Sequence, residues 1–264
     1  MLLQIRARAA YELPFDAFIL LMIEPPLQDD SHRVLEEHLA TTTTPSTQLW
    51  NDLYGNPQRR FAAPAGPFSF EFSAQIEAQP NQDIPDDAAE CLPARIPAEC
   101  MIYTVPSRYC QSDRLMRLAM SEFGDLAPGG SRVKAIAKWI HQRVEYRYGA
   151  TDASTDAFDT ATSRVGVCRD FAHLLISFCR ALGIPARYVS GYCLGLEPPD
   201  FHAYVQVWLG DAWHNVDATF NGVRPALVPI AVGRDAADVA ITTLFGANKF
   251  LSQSVEVSEI PAQS

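Results

Sequence analysis

The chain has 264 residues, 48% of them hydrophobic, which is enough for one large folded domain or two modest ones. Its 21 basic and 31 acidic residues give a net charge of −10, and this balance argues against an extended surface for nucleic acid. We therefore expect a globular protein that does not bind nucleic acid.

Hydropathy and cysteine usage give expectations about location and cofactors. The longest apolar run, residues 17–23, is too short to span a bilayer, and the N-terminal residues lack the apolar core of a signal peptide. We expect a cytoplasmic protein with no membrane partner.

Its cysteines lack zinc-ligand spacing, so we expect reduced thiols, no metal and no cofactor. The six are Cys91, Cys100, Cys110, Cys168, Cys179 and Cys193.

The N-terminal part of the chain has the pattern of β-strands. "LQIRARAAY" and "FSFEFSAQIEA" alternate apolar and polar residues, "AFILLMI" is typical of a buried strand, and "LYGN" of a turn. Phe68, Phe70 and Phe72 fall on one face. We predict an antiparallel β-sandwich over residues 1–80.

Residues 81–110 are predicted to be a linker, because they are rich in proline and polar residues and have little periodicity. Residues 111–264 are then predicted to form the second unit. A helix is predicted from Ser112 or Asp113 to Phe123, closed by Gly124, and another from Ser131 to about Tyr146.

A third helix is predicted to begin at Cys168, since apolar residues recur at helical spacing through "CRDFAHLLISFCRAL" until Gly183. The N–H groups and positive dipole end of a helix N-terminus favour a thiolate over a thiol. Cys168 is therefore placed for nucleophilic chemistry. Cys179, about three turns further on, is predicted to be a core residue.

Three strands follow, in "ARYVSGYCLG", "HAYVQVWLG" and "AWHNVDATF". A two-residue turn at Gly210 and Asp211 would set Leu209 opposite Ala212 and bring Asp217 to the face that carries His202. A three-residue loop without a bulge would instead turn Asp217 to the opposite face of the sheet. A thiol nucleophile needs a base, and the base needs an orienting partner, which are the roles that His202 and Asp217 could fill.

The ordered set "GVCRDFAHLLISFCRALGIPARYVSGY", "HAYVQVW" and "WHNVDAT" resembles the transglutaminase-like superfamily of papain-related cysteine enzymes, over about residues 135–220. The resemblance implies an α+β fold, in which an N-terminal antiparallel β-sandwich precedes a core with a central helix packed on an antiparallel sheet. It also implies that Cys168 is the nucleophile, His202 the general base and acid, and Asp217 the carboxylate that orients the imidazole.

The implied activity is hydrolysis or transfer at an amide or isopeptide bond of a protein or peptide, through a thioester acyl-enzyme. The Cys168 N–H is expected to serve the oxyanion hole, with Tyr146 or Tyr148 as a second donor. Where this family often has Trp, Glu and Pro, the chain has Tyr204, Gln206 and Ala218, which changes the groove wall.

A second hypothesis is a non-catalytic protein-binding or scaffolding module that retains the fold. The sequence leaves the substrate, calcium dependence and oligomeric state open. An acidic stretch before Cys168 could suggest a calcium site, but a solvated loop is the preferred interpretation, because the spacing of an EF-hand is absent. Its members are Asp152, Asp156 and Asp159. The segment "GRDAADVA" is interpreted as a turn with a helix start. The remaining histidines receive no role: His32, His38, His141, His173 and His214.

Overall fold

A computed structural model describes residues 1–42 and 48–261. The fold is α+β, as predicted. Its strands and helices in chain order are β1 (Leu2–Leu13), β2 (Ala17–Leu21), β3 (His32–Thr41), β4 (Gln48–Asn51), β5 (Pro57–Ala63), β6 (Gly66–Ala78), α1 (Ser112–Phe123), α2 (Gly130–Arg143), β7 (Glu145–Tyr146), α3 (Ala157–Ser163), β8 (Val165–Gly166), α4 (Cys168–Ala181), β9 (Ala186–Cys193), β10 (His202–Leu209), β11 (Ala212–Val216), β12 (Leu227–Gly233), β13 (Thr242–Phe245) and β14 (Lys249–Glu259).

Two four-stranded antiparallel sheets carry the N-terminal strands, in the orders β14-β1-β6-β3 and β13-β2-β5-β4. Strands β1 and β6 alternate buried and more exposed residues, so each presents one apolar face to the core. The predicted row of Phe68, Phe70 and Phe72 is buried on that face. The "LYGN" turn lies between β4 and β5.

The two sheets take strands from both ends of the chain, which the predicted division did not anticipate. The resemblance implies that residues 111–264 form the transglutaminase-like catalytic domain, yet β13 pairs with β2, and β14 pairs with β1 from Leu3↔Glu259 to Glu12↔Lys249. The alternation in "KFLSQSVEVSEI" shows a strand but not its partner, because strand pairing is non-local. The division at residues 80 and 110 itself stays a prediction.

The second unit is built on the antiparallel sheet β11-β10-β9-β12, against which α4 packs. Helices α1 and α2 cover the other side of α4, whose residues from Phe171 to Cys179 are buried. Tyr192 on β9 links this unit to the sandwich, since its hydroxyl donates to Ile23 O at 2.9 Å and its ring stacks on Phe72. The central helix on an antiparallel sheet matches the predicted core.

The helix bounds agree with the sequence patterns except at α2. Helix α1 ends at Phe123 with Gly124 as C-cap, and α4 begins at Cys168, as predicted. Helix α2 stops at Arg143 rather than near Tyr146, because Val144 is extended and the chain enters β7. The "GRDAADVA" segment forms turns but no helix. Within residues 1–42 and 48–261, no helix is long and apolar enough to cross a membrane.

Candidate active site

The start of α4 is held by the buried carboxylate of Asp170. It accepts a hydrogen bond from the Val167 N–H at 3.0 Å and from the Thr151 hydroxyl at 2.7 Å, and Arg169 pairs with its other oxygen at 2.9 Å. A Cβ on Gly166 would lie 2.7 Å from the Asp170 Cβ, so only glycine fits the approach. These contacts fix the turn that presents Cys168, whose side chain remains partly exposed.

The hairpin between β10 and β11 brings His202 and Asp217 together. Gly210 and Asp211 both have positive φ, 56° and 66°, as a type I′ two-residue turn requires. The register is therefore Leu209↔Ala212, as predicted, and it continues to Val205↔Val216. Asp217 follows directly and lies on the face of His202, with 2.8 Å between His202 Nε2 and Asp217 Oδ2.

The environment of His202 favours its charged form. Burial acts to lower the pKa of this imidazole, but the hydrogen bond to Asp217 and the interaction with the Cys168 thiol outweigh it and raise the pKa to about 9. Nδ1 is buried and makes no hydrogen bond of normal geometry within the described part of the chain. With Nε2 bound to Asp217, Nδ1 is the nitrogen available to Cys168.

Asp217 is held by three side chains. Thr219 donates its N–H at 2.9 Å and its hydroxyl at 2.6 Å to Oδ1, and Arg224 donates Nε–H at 2.8 Å to Oδ2. Burial acts to raise the pKa of Asp217, but hydrogen bonds from His202, Thr219 and Arg224 hold it well below its usual range. The carboxylate therefore stays ionised, with two cationic groups on one oxygen.

Arg224 was missed by the sequence analysis. Its guanidinium is buried, lies over the Phe220 ring at 4.2 Å and also contacts the Thr219 hydroxyl at 3.2 Å. The one available signal was an arginine seven residues after the candidate carboxylate, in a segment that shows no periodicity.

Of the two tyrosines predicted as oxyanion donors, Tyr146 and Tyr148, it is Tyr146 that lies beside Cys168. Burial, the negative charge that Cys168 would carry and a hydrogen bond with Tyr148 raise the pKa of Tyr146 far above its usual value, and a bond from the Cys168 N–H partly opposes this. The Tyr146 phenol therefore keeps its proton and can donate it. Its ring contacts Phe171 of α4 at 5.8 Å and Tyr148 at 5.4 Å between centroids.

A cavity of about 260 Å³ adjoins the far side of Asp217 and Arg224. Its walls come from α2, the segment after β11 and the start of the segment after β6. The charged or titratable side chains among its lining residues are Asp83, Lys134, Lys138, His141, Asp217 and Arg224. The Asp83 carboxylate in this lining is paired with Lys134 at 2.7 Å. The cavity therefore gives solvent a path to Asp217 and adds no unpaired carboxylate beside it.

The acidic residues before α4 have local structural partners. Asp156 caps α3 by accepting from the Asp159 N–H at 2.9 Å, while Asp152 accepts from the Ser154 hydroxyl at 2.6 Å. No group of three or more metal-ligating side chains occurs among residues 1–42 and 48–261. Cys110 and Cys179 are fully buried, and burial raises the pKa of each thiol to about 12. Neither thiol is suited to nucleophilic attack.

Comparison with known proteins identifies the family of part of the chain. The model of the transglutaminase-like superfamily matches residues 120–218, which include all three predicted side chains. The whole chain resembles the crystal structure of a proposed cysteine protease from Cytophaga hutchinsonii, with 36% identity, a TM-score of 0.93 and coverage of 100% of this chain and 92% of that one.

Two curated relatives match over part of their length. An uncharacterised protein of Mycobacterium leprae is 37% identical over 120 residues, which are 41% of this chain and 42% of that protein. One of Mycobacterium tuberculosis is 33% identical over 144 residues, 48% of this chain and 46% of that protein. The chain thus aligns with less than half the length of these relatives.

Proposed function

Because the chain belongs to the transglutaminase-like superfamily, we propose that it is a cysteine-dependent amide or isopeptide hydrolase or acyltransferase that acts on a protein or peptide. The observation that carries this proposal is the position of His202. Its Nε2 is 2.8 Å from Asp217 Oδ2, its Nδ1 has no other partner of normal geometry among the described residues, and it interacts with Cys168 at the start of α4. The similar structure from Cytophaga hutchinsonii is described as a proposed cysteine protease, which supports a cysteine-dependent enzyme.

The first chemical step is acylation of Cys168. The thiolate attacks the carbonyl carbon of the amide, and a tetrahedral oxyanion forms as the C–S bond is made. The His202 imidazolium then gives its proton to the departing amine as the C–N bond breaks. The products are a thioester on Cys168, a free amine and a neutral His202, whose orientation Asp217 maintains.

The second step releases the acyl group. Neutral His202 takes a proton from water or from an incoming amine, whose oxygen or nitrogen attacks the thioester carbonyl. Water gives a carboxylic acid, and an amine gives a new amide. In either reaction the C–S bond breaks, which restores the Cys168 thiolate, while the proton taken up restores the His202 imidazolium. Exclusion of water from the acyl-enzyme decides between the two outcomes.

Two donors are available for the oxyanion. The Cys168 N–H lies at the N-terminus of α4, where it has no partner within the helix, and the protonated hydroxyl of Tyr146 lies beside it. We propose that a substrate oxygen replaces the Tyr146 oxygen at this N–H and accepts a second hydrogen bond from the phenol. Removal of one such donor typically costs about 3 kcal/mol in transition-state stabilisation.

Alkylation tests this proposal directly. We expect iodoacetamide near neutral pH to label Cys168 faster than a free thiol, and His202→Ala to abolish the difference, with modification mapped by mass spectrometry. An activity-based electrophile should trap the same residue. Labelling of Cys168 at the rate of a free thiol would contradict the proposal and favour a module that binds a partner without turnover.

A further inference from the structure

The edge strand of the first sheet is long and unpaired on one side. Strand β14 extends over Lys249–Glu259 and, within the described residues, pairs only with β1. Its side chains from residue 249 to residue 254 are exposed, and no proline interrupts it. Natural proteins usually shorten, bend or cover such an edge, because its free N–H and C=O groups form a template for another strand.

The register shows which backbone groups this edge offers. The Ile260 N–H donates to Leu2 O at 2.8 Å, and the pairing is regular from Leu3↔Glu259 to Ala9↔Gln253. In an antiparallel pair, alternate residues exchange hydrogen bonds with the partner strand. Residues 254, 256 and 258 therefore bind β1, whereas residues 253, 255, 257 and 259 direct their N–H and C=O groups away from the sheet.

The same edge contacts the loop that leads to His202. Gln253 Nε2 donates to Asp200 Oδ1 at 2.6 Å, and Asp200 precedes His202 by two residues, which limits the separation of their Cα atoms to about 7 Å. Between them, Phe201 packs on Tyr192 with ring centroids 5.8 Å apart. A chain bound along β14 at Gln253 would thus lie beside the loop that leads to His202.

We propose that the free edge of β14 binds an extended segment of the protein substrate as an added β-strand and directs the adjoining residues toward Cys168. The inference rests on the proposed function and specifies how that site would recognise its substrate. Residues 253–259 would pair with a segment roughly 20 Å long through backbone hydrogen bonds. Phe250 and Leu251, 55% and 50% exposed, offer apolar contact at one end of that segment.

Continuity with the His202 loop favours a substrate over a second copy of this chain. Backbone pairing would also suit an enzyme that accepts varied sequences, because main-chain groups supply the affinity and side chains the selectivity. The segment must be unfolded or an exposed loop, since a strand already paired on both sides has no free backbone groups.

A matched pair of variants tests the edge without requiring turnover. In the full chain carrying Cys168→Ala, Gln253→Ala removes the side-chain bond to Asp200 but retains the outward N–H, whereas Gln253→Pro removes both. Proline is tolerated on an edge strand where the N–H faces away from the sheet. The probe is fluorescently labelled β-casein, an unfolded protein, and its dissociation constant is measured by fluorescence anisotropy.

We expect Gln253→Pro to bind β-casein about tenfold more weakly than Gln253→Ala, because one backbone hydrogen bond is lost and the proline ring blocks the incoming strand. Equal thermal unfolding midpoints of the two variants would show that both fold. Equal affinities, or no binding of β-casein to the Cys168→Ala protein, would overturn the proposal. The proposal would also be overturned if the Cys168→Ala protein formed a dimer that Gln253→Pro dissociates, because a second copy of the chain would then occupy the β14 edge. Failure of Cys168 to react faster than a free thiol would contradict the proposed function instead.

Discussion

Replacement of Arg224 by glutamine should raise the pKa of His202. Arg224 Nε and His202 Nε2 each lie 2.8 Å from Asp217 Oδ2, so the two nitrogens are no further apart than twice that distance. Two unit charges about 5 Å apart at an effective dielectric constant of about 20 repel by about 3 kcal/mol, or about 2 pKa units. Solvent in the adjoining cavity screens part of this, and we expect an upward shift of about 1 unit.

The titration of His202 measures the effect without substrate. Ring C–H resonances are followed against pH in the Cys168→Ala background, which removes the thiol from the comparison. Arg224→Lys retains the positive charge and should leave the midpoint near that of the parent. Thr219→Val removes a neutral hydrogen-bond partner of Asp217 and should also leave the titration midpoint of His202 unchanged.

The titratable and charged groups near this pair include Cys168, Cys193, Tyr204 and Arg224 and, across the cavity, Asp83 and the charged residues of α2. Of these, only Arg224 bonds to the Asp217 oxygen that His202 uses. A His202 midpoint in Arg224→Gln equal to that of the parent would refute the electrostatic argument, provided that thermal unfolding shows the variant to be folded.

Three other outcomes are expected. Asp170→Ala should lower the free energy of unfolding in urea by about 2–3 kcal/mol, because the Val167 N–H and Thr151 hydroxyl lose a buried acceptor; a change below 0.5 kcal/mol would contradict this. Tyr146→Phe should lower kcat about 100-fold with little effect on KM if its hydroxyl stabilises the oxyanion, and a change in KM alone would contradict that role. The pKa of His202 is raised from 6.5 to about 9, so its stabilising contribution is complete below about pH 6.5 and is lost as pH rises through 9. Urea unfolding of the parent and of His202→Ala across this range measures the difference.

Much of the candidate site could be predicted because its determinants are local. The start of α4 follows from apolar spacing after Gly166, and the position of Asp217 follows from counting residues across a two-residue turn. Gly210 and Asp211 adopt the positive φ values on which that count depends. Once the register was fixed, the period of the strands placed His202 and Asp217 on one face.

The unpredicted features depend on contacts between distant segments. Arg224 reaches Asp217 through a stretch without periodicity, and β3, β4 and β5 lack a strong alternating pattern. The partner of β14 could not be deduced, because an edge strand and a core strand can share one sequence pattern. Tyr146 could not be distinguished from Tyr148, since the end of α2 determines which of them lies beside Cys168.

The pairing of β1 with β14 has a consequence for how the chain folds. The two strands are separated by more than 230 residues, so the first strand cannot gain this neighbour until residues 249–259 have been synthesised. At a translation rate of about 5–20 residues per second, β1 would expose one hydrogen-bonding side for ten seconds or more. Contacts this distant in sequence slow folding, and we expect assembly of this sheet to be the late step.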